Sequence, residues 1–505
     1  MPITKSKNEI MKRITLTIIA ALTISAGVTA QNVDDALRYS QIFYNGTARF
    51  MAMGGAFTAL GGDLSSLSQN PAGLGVYRSS EISFSPQLFH INTSALFNSK
   101  NTDYLYNFNL GQAGIALNLI NNTNQSDLIT LNAGYSFNRT NNFSSSIRIE
   151  GRNNNSSMAD YWADQSYGIH YTNLGGAAGI AYDAWVIDTL TWSGGTEYGT
   201  VFSNYGDNPP SVYGQNVRRL ISNEGYTGEH AFSIGGNYSN MLFFGATLGI
   251  SSLNFTSHYE HLESVNFPMA SGISNFTYTD HYENKATGYT FKLGAIVKPV
   301  EYLRIGLAFH SPTIYRVNEY YYDNIASNFD DGDNYNFSNE PMRYSYALTT
   351  PFRAMAGVAV QIKKLGMLSA DYEFIDYGSA RFSQTGDNYD YSQKNLDIKN
   401  DLKPAGNLRL GGELRLSKFY LRTGFGYHGK AFKQGRDNED LAHVSFSAGG
   451  GFRESNIFID LGFTSISNDQ KYFLYPVGAG AIPAQADFST TRNIFALTFG
   501  YKFGY

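Results

Sequence analysis

The C-terminal stretch "RNIFALTFGYKFGY" alternates between two faces as far as the end of the chain. Phe495, Leu497 and Phe499 begin an apolar face that continues to Tyr505, whereas small and polar residues such as Thr498 occupy the face between them. Strict alternation is the pattern of a β-strand with an apolar side and a polar side. The last strand is therefore expected to face an apolar environment on one side only.

The same pattern recurs in many segments. In "NLRLGGELRL" the leucines share one face, while Arg409, Glu413 and Arg415 share the other. The segments "YTFKLGAIV", "LRIGLAFH", "KFYLRTGFGY" and "NIFIDLGF" repeat it, again with charged residues or glycine on the minority face. Apolar-out, polar-in strands are typical of an outer-membrane barrel with a wet interior. We therefore predict an all-β protein, a transmembrane antiparallel β-barrel of about 14 strands, over residues 79–505.

Turn signals divide this region into passages. Short connections alternate with long polar stretches, which we expect to be periplasmic turns and extracellular loops, respectively. The apolar phase changes inside residues 104–138, which we interpret as one interrupted passage. We place the strands "LITLNAGYSFN" and "FSSSIRIEG" on either side of an "NRTNN" turn. Residues 153–228 do not alternate, and we expect an extracellular insertion with two helices, "SMADYWADQ" and "SVYGQNVRRLI".

The N-terminus resembles an export signal. Lys12 and Arg13 precede an apolar run, and Ala30 ends a small-residue cleavage site. We expect residues 1–30 to be the signal peptide, with Met11 as a candidate start. The mature chain contains no Cys, so neither disulfides nor a lipid-attachment cysteine contributes. The net charge of −5, without clustered Lys and Arg, gives no reason to expect nucleic acid as a partner.

Residues 31–78 differ from the rest in being rich in glycine and short helical segments. "VDDALRYSQIF" and "GGDLSSLSQ" have helical character, and the second ends before Asn70 and Pro71, because the residue before a proline avoids the α conformation. A barrel of about 14 strands is too wide for side chains alone to fill. We therefore predict that residues 31–78 form a small hatch, or plug, inside the barrel.

The segment "NGTARFMAMGGAFTALGGDLSSLSQNPAG", followed at once by the first strand, resembles the N-terminal hatch of the FadL/TodX family, outer-membrane transporters of long-chain fatty acids and other hydrophobic compounds. "NRTNNFS" and "DYEFIDYGSARF" are similar to relatives from Bacteroidetes, some of which are labelled hemin receptors. The long insertion departs from the better-known members. The resemblance implies hatch or gating roles for Gly54, Gly55, Asn70, Pro71, Ala72 and Gly73.

The family resemblance also implies a route: capture among extracellular loops, passage to an inner site, and sideways exit into membrane lipid through a kinked third strand. Sideways exit is physically reasonable, since each CH₂ removed from water contributes about 0.8 kcal/mol. We take "FSSSIRIEGRNNN" as that strand and Gly151 as the candidate kink. We expect fatty acids as ligands and a monomer in the bacterial outer membrane. We also expect the barrel-assembly machinery to recognise the strand that ends in Tyr505.

Two other functions stay open on the sequence. A haem receptor is one, with His258, His261 and His281 as the possible ligands, although a strand places His258 and His261 on opposite faces. A general porin or structural barrel is the other. The G-x-G-x-x-G match from Gly424 to Gly429 lies in a strand, so we expect it to pack against the hatch rather than bind a cofactor. We find no catalytic motif, and we expect no metal site, no cofactor and no enzyme activity.

Overall fold

The computed structural model describes residues 32–122, 127–190, 193–200, 202, 213–265, 272–386, 388–477 and 482–504. The predicted signal peptide, residues 1–30, lies outside the described residues, as does Tyr505. No helix in the described ranges is both long enough and apolar enough to cross a membrane.

Strands form most of the described chain. They are β1 (Ser80–Phe97), β2 (Ser99–Asn121), β3 (Leu128–Asn142), β4 (Ser145–Asn153), β5 (Ile187–Thr189), β6 (Tyr198–Thr200), β7 (Gln215–Tyr238), β8 (Leu242–Ser264), β9 (Ile273–Val300), β10 (Leu303–His310), β11 (Ile314–Phe329), β12 (Asn334–Ser338), β13 (Met342–Thr349), β14 (Arg353–Ile362), β15 (Gly366–Asp376), β16 (Arg381–Gln384), β17 (Pro404–Leu416), β18 (Phe419–His428), β19 (His443–Glu454), β20 (Ile457–Phe473) and β21 (Gln485–Phe503).

Helices are short and lie at the N-terminus, in the long insertion and in one loop. They are α1 (Val33–Ser40), α2 (Ala48–Ala52), α3 (Met158–Ser166), α4 (Gly176–Asp183) and α5 (Ser392–Asp401). Single 3₁₀ turns cover Leu64–Ser68, Pro71–Val76, Tyr171–Asn173 and Tyr377–Ser379.

The strands close into an antiparallel barrel. The first and last strands pair along their length, from Ser80 opposite Phe503 to Leu96 opposite Asp487. Nineteen strands join in this one sheet and make 14 passages, because four passages each consist of two or three consecutive strands. The predicted number of passages is therefore confirmed. β5 and β6 pair separately as a small two-stranded sheet in the insertion.

The predicted alternation is confirmed in side-chain exposure. On β21, Phe495, Phe499 and Tyr501 are about half exposed, whereas Ala496 and Thr498 are buried. On β17 the leucines face outward, and the charged residues face inward. An outward apolar surface on a closed barrel is the arrangement that a bilayer requires, since closure leaves no unpaired sheet edge in lipid.

The prediction of one passage over residues 104–138 is wrong. β2 is a complete passage that runs to Asn121, and β3 begins the next one. The change of apolar phase marks a β-bulge: Ser85 pairs with Gln112 and Pro86 pairs with Leu110, which leaves Gly111 as the extra residue. One extra residue reverses the inward and outward alternation without turning the chain.

The predicted hairpin at "NRTNN" is also wrong. β3 and β4 both run antiparallel to β7, in the same direction, so they are two halves of the third passage. The total of 14 is preserved because this merger cancels the division of residues 104–138. The interruption of the third passage lies at Phe143 and Ser144. Gly151, the predicted kink, lies within the regular ladder of β4, opposite Val217.

Several polar stretches predicted as loops are strands. β9 alone has 28 residues, whereas about 9–11 residues of tilted strand cross a bilayer. The second predicted helix of the insertion is wrong for the same reason, since Gln215 begins β7. Its inward residues Val217 and Ile221 are buried and pair across to β8. The first predicted helix is confirmed as α3. The sheet extends well past the membrane at the long-loop end, and its polar residues there face water rather than lipid.

Residues 32–79 pack against the inward faces of strands around the barrel. The backbone N–H of Ala48 donates to Thr498 on β21 (2.7 Å), and that of Thr58 donates to Asp371 on β15 (2.8 Å). The Asn132 amide on β3 donates to the Leu74 carbonyl (2.8 Å). Contacts to strands so far apart in the sheet place this N-terminal segment in the barrel interior.

Candidate functional site: a chamber above the N-terminal segment

The Asn70 side chain makes hydrogen bonds both within the N-terminal segment and to strands of the wall. Its Nδ2 donates to the carbonyl of Thr58 (2.6 Å), with longer contacts to the carbonyls of Leu307 (3.3 Å) and Ala295 (3.4 Å). Its Oδ1 accepts from the N–H of Ala72 (3.0 Å), which caps the 3₁₀ turn that begins at Pro71. One buried side chain therefore fixes both the fold of the segment and its position in the barrel.

The other predicted hatch residues are buried or tightly packed elsewhere in the same segment. Ala72 is fully buried and packs with Phe243 and Ile296 of the wall. Gly54 and Gly55 have φ angles of 62° and 71°, in the left-handed region where a Cβ is disfavoured. Gly73 lies against the Cα of Gly61, close enough that an added Cβ would lie 2.9 Å from it.

Glycines on the inward face of the wall allow the N-terminal segment to pack closely against the strands. The N-terminal segment approaches them so closely that an added methyl group would overlap its atoms. An added Cβ would lie 1.8 Å from Asn70 Oδ1 at Gly294, 2.1 Å from Thr58 O at Gly306, 2.3 Å from Pro71 O at Gly245 and 2.2 Å from Gly54 N at Gly424. The expectation that the G-x-G-x-x-G match packs against the segment is confirmed for Gly424, whereas Gly426 lies against Ser445 and Gly429 against Gly406 of the wall. The glycines of the minority face are thus sites of close backbone approach.

Buried ion pairs hold the same interface. Arg49 of the N-terminal segment donates to Glu413 on β17 (2.9 Å), and Glu413 also accepts from Arg422 (2.7 Å), which pairs with Asp460 (2.6 Å). A second group joins Glu373 to Arg353 and Arg409. Each of these buried charges therefore has a partner of opposite charge, which offsets the cost of burial.

On the long-loop side of the N-terminal segment lies a cavity of about 460 Å³, a size that suits one small-molecule ligand. α1 lies at its side, and aromatic and aliphatic side chains line it together with polar ones. The apolar lining includes Phe43, Phe143, Ile147, Ile221, Phe255 and Phe488, and the polar lining includes Asn141, Asn142, His443, Asn468, Thr490 and Arg492. We call this cavity the chamber.

Arg492 is the unusual member of the chamber lining. It projects inward from β21, and its Nε is buried without a hydrogen-bond partner. No described carboxylate lies within 4.0 Å of it, in contrast to the paired arginines between the N-terminal segment and the wall. Arg492 is only partly buried, and a partly buried guanidinium without an acidic partner is favoured when an anion completes it. Sequence analysis did not single out Arg492, because the pattern shows a charge on the inward face but not the absence of a partner across the barrel.

The wall beside the chamber lacks backbone pairing between two neighbouring strands. The ladder between β2 and β3 extends only to Gln112 opposite Asn138, and no backbone pairing joins residues 99–111 to β4. Side chains bridge the space instead, with Ser146 Oγ bonded to Asp103 (2.6 Å) and Asn142 Nδ2 to Asn107 Oδ1 (3.3 Å). We call this the β2–β4 gap.

The break in the third passage lies between the chamber and the β2–β4 gap. Phe143 lines the chamber and packs with Tyr39 and Phe255, while its backbone N–H still donates to the Gly225 carbonyl of β7 (3.0 Å). Gly151 permits a different contact. An added Cβ there would lie 2.1 Å from the carbonyl of Phe97, which shows that β4 passes tightly behind the turn between β1 and β2.

The three histidines considered for haem do not converge. His258 and His281 lie opposite each other on β8 and β9 and face outward, with ring centroids 6.1 Å apart. His261 is fully buried on the inward side and bonds to Arg219 (3.2 Å) and Glu263 (2.9 Å). The prediction that the strand separates His258 from His261 is confirmed. Within the described ranges, no group of three metal-ligating side chains is placed to hold an ion.

The structure defines a closed transmembrane β-barrel whose interior holds its own N-terminal segment. Among solved structures it is similar to a FadL homologue of Pseudomonas aeruginosa (TM-score 0.54, 12% identity, covering 92% of this chain and 100% of that one). It is also similar to the toluene transporter TodX of Pseudomonas putida (TM-score 0.50, 12% identity, 91% and 99%). This chain has the fold of those barrels. No protein-family model matches the sequence. No curated protein matches it either.

Proposed function

We propose that this protein is a member of the FadL/TodX family and carries hydrophobic compounds with a carboxylate group, long-chain fatty acids in particular, across the bacterial outer membrane. The observation that carries this proposal is Arg492. It places a partly buried cation without an acidic partner in a chamber whose other walls combine apolar and polar side chains. A fatty acid supplies both complements, since its carboxylate forms a charge-assisted pair with a guanidinium and its chain leaves water.

In this proposal the N-terminal segment, residues 31–78, is the hatch. The wall glycines and the Asn70 bonds hold it across the interior, so water and ions have no wide path. The short-turn end faces the periplasm, and the strand extensions and the insertion face outward. Ligand enters from the long-loop end, rests in the chamber against Arg492, and leaves sideways through the β2–β4 gap into lipid. Transport is passive, with no catalytic step and no resident cofactor.

The comparisons support the transport of hydrophobic compounds, because TodX carries toluene by its description. Toluene lacks a charge, so the choice of fatty acids over aromatic hydrocarbons rests on Arg492 alone. Neither alternative gains support from the structure. The outward pair His258 and His281 lies away from the chamber, which disfavours a haem receptor that works through it. A filled interior is unlike that of a general porin. We also propose a monomer, inserted through its C-terminal strand.

Uptake by proteoliposomes tests the proposal. Radiolabelled oleate, hexadecane and haem are offered to the wild type and to Arg492→Gln, with Arg148→Gln as the control, since Arg148 is half exposed and pairs with Glu150. We expect Arg492→Gln to weaken oleate binding about 10- to 100-fold, the cost of one charged hydrogen bond, and to leave hexadecane unchanged. Equal losses for both ligands would contradict the carboxylate role. Binding of haem without oleate would reassign the ligand class.

A further inference from the structure

A second cavity lies at the opposite end of the barrel, on the far side of the N-terminal segment from the chamber. It has a volume of about 380 Å³ and lies between residues 60–79 and the short-turn ends of β1, β10, β14 and β21. Basic side chains dominate its charged lining, which consists of Arg49, Arg78, Arg304, Lys502 and Glu81. The route proposed above leaves through the wall and does not use this cavity.

Two of these cations lack an acidic partner. Arg49 is committed to Glu413, and Lys502 lies 3.7 Å from Glu81. Arg304 donates only to the carbonyl of Leu60 (2.8 Å), and Arg78 bonds to the side-chain oxygen of Asn240. Neither has a carboxylate within 4.0 Å among the described residues. The cavity therefore holds more positive charge than its own carboxylates balance.

The chemistry of these groups selects the ligand. A guanidinium presents a planar set of donors that matches the paired oxygens of a carboxylate or a phosphate. Leu60, Val76 and Met367 supply an apolar side to the same cavity. We propose that this cavity is a binding site for a small oxyanion, a carboxylate or phosphate group held by Arg304 and Arg78. This site is independent of the chamber and does not depend on which ligand the chamber takes.

The natural absence of cysteine allows a direct test. Gln361 lines the cavity, and its side chain is exposed, so Gln361→Cys gives a single reactive thiol there. The purified full chain is labelled with an anionic (sulfonatoethyl) and a cationic (trimethylammonioethyl) methanethiosulfonate reagent. Ser417→Cys, at the exposed turn between β17 and β18, is the matched control. The readout is a labelling rate, so it is separate from any transport assay.

We expect the anionic reagent to label Gln361→Cys about tenfold or more faster, relative to the cationic one, than it labels Ser417→Cys, because basic clefts concentrate anions. Adding Arg304→Gln and Arg78→Gln removes that preference, whereas Arg304→Lys retains most of it. Inorganic phosphate and hexanoate are then added separately, and the one that slows labelling at millimolar concentration identifies the oxyanion. Equal rate ratios at the two cysteines, or no protection by either anion, would overturn the proposal.

Discussion

Arg49 and Glu413 are 364 residues apart in the sequence, but Arg49 Nε and Glu413 Oε2 are only 2.9 Å apart in the structure. Both side chains are nearly buried, and the bond ties α2 of the N-terminal segment to β17 of the wall. Glu413 also holds Arg422, so this one carboxylate balances two cations. It is the point where the charge network of the wall continues into the segment.

Glu413→Gln is expected to destabilise the protein more than Arg49→Gln. The first change leaves Arg49 with no acidic partner, whereas the second leaves Glu413 paired with Arg422. Breaking a buried pair costs about 3–5 kcal/mol when a charge remains uncompensated. Thermal unfolding in detergent checks the order of stability. Lys418→Gln is the control, because its pair with Glu454 is about half exposed, and we expect almost no change. A larger effect of Arg49→Gln would contradict this account.

The contact between Asn70 and Gly294 predicts a double-mutant result. Gly294→Ala places a methyl group 1.8 Å from Asn70 Oδ1, so we expect it to displace the segment and raise ion conductance in planar bilayers. Asn70→Ala removes the oxygen in question, along with the bonds to Thr58 and Ala72. The double variant is therefore expected to be less impaired than the two single effects summed. Gly450→Ala is the control, since its nearest atom would lie 3.7 Å away. Additive effects would count against steric contact.

Closing the β2–β4 gap is expected to stop release of ligand. Cysteines at Asn107 and Asn142, whose amides are bonded across the gap, can be joined by a short bifunctional thiol reagent that a reductant cleaves. We expect oleate uptake to fall on cross-linking and to recover on reduction, with binding in the chamber retained. Cysteines at Ser467 and Thr491, which are partners in a continuous ladder, provide the control. Unchanged uptake in the cross-linked protein would show that ligand leaves by another route.

The insertion is expected to become less stable as the pH rises from about 4 to 6. Burial raises the pKa of Asp160 at the start of α3 to about 6, so the folded state holds its proton more tightly than the unfolded state. Stability from this group is therefore complete below its ordinary pKa of 3.8 and is lost as the pH rises to the folded value. The loss is at most ~3 kcal/mol. Hydrogen exchange of α3 measures it, and Asp160→Asn is expected to flatten the profile; a more protected α3 at pH 7 than at pH 4 would contradict it.

The sequence was sufficient for the barrel and for the position of the N-terminal segment along the chain, because alternation and glycine content are local properties. The predicted number of passages was correct only because two wrong assignments, at residues 104–138 and at the third passage, cancelled. The sequence failed at Gly111, where one extra residue imitates a change of strand. It failed again at Gln215, where an extended strand outside the membrane loses the apolar face that identifies the others. The role of Arg492 and the β2–β4 gap could not be predicted from the sequence, because a missing carboxylate partner and a missing ladder depend on strands that are distant in the chain.

The bond between Ala48 and Thr498 spans 450 residues, and the first and last strands close the barrel over it. Once β1 and β21 have paired, a segment that fits tightly against glycines on several strands cannot be threaded in from outside. The N-terminal segment therefore cannot complete its packing until β21 is available to pair with β1. Contacts of such long range also make closure slow. The time between synthesis and closure is consequently the period in which this protein is most exposed to proteolysis and aggregation.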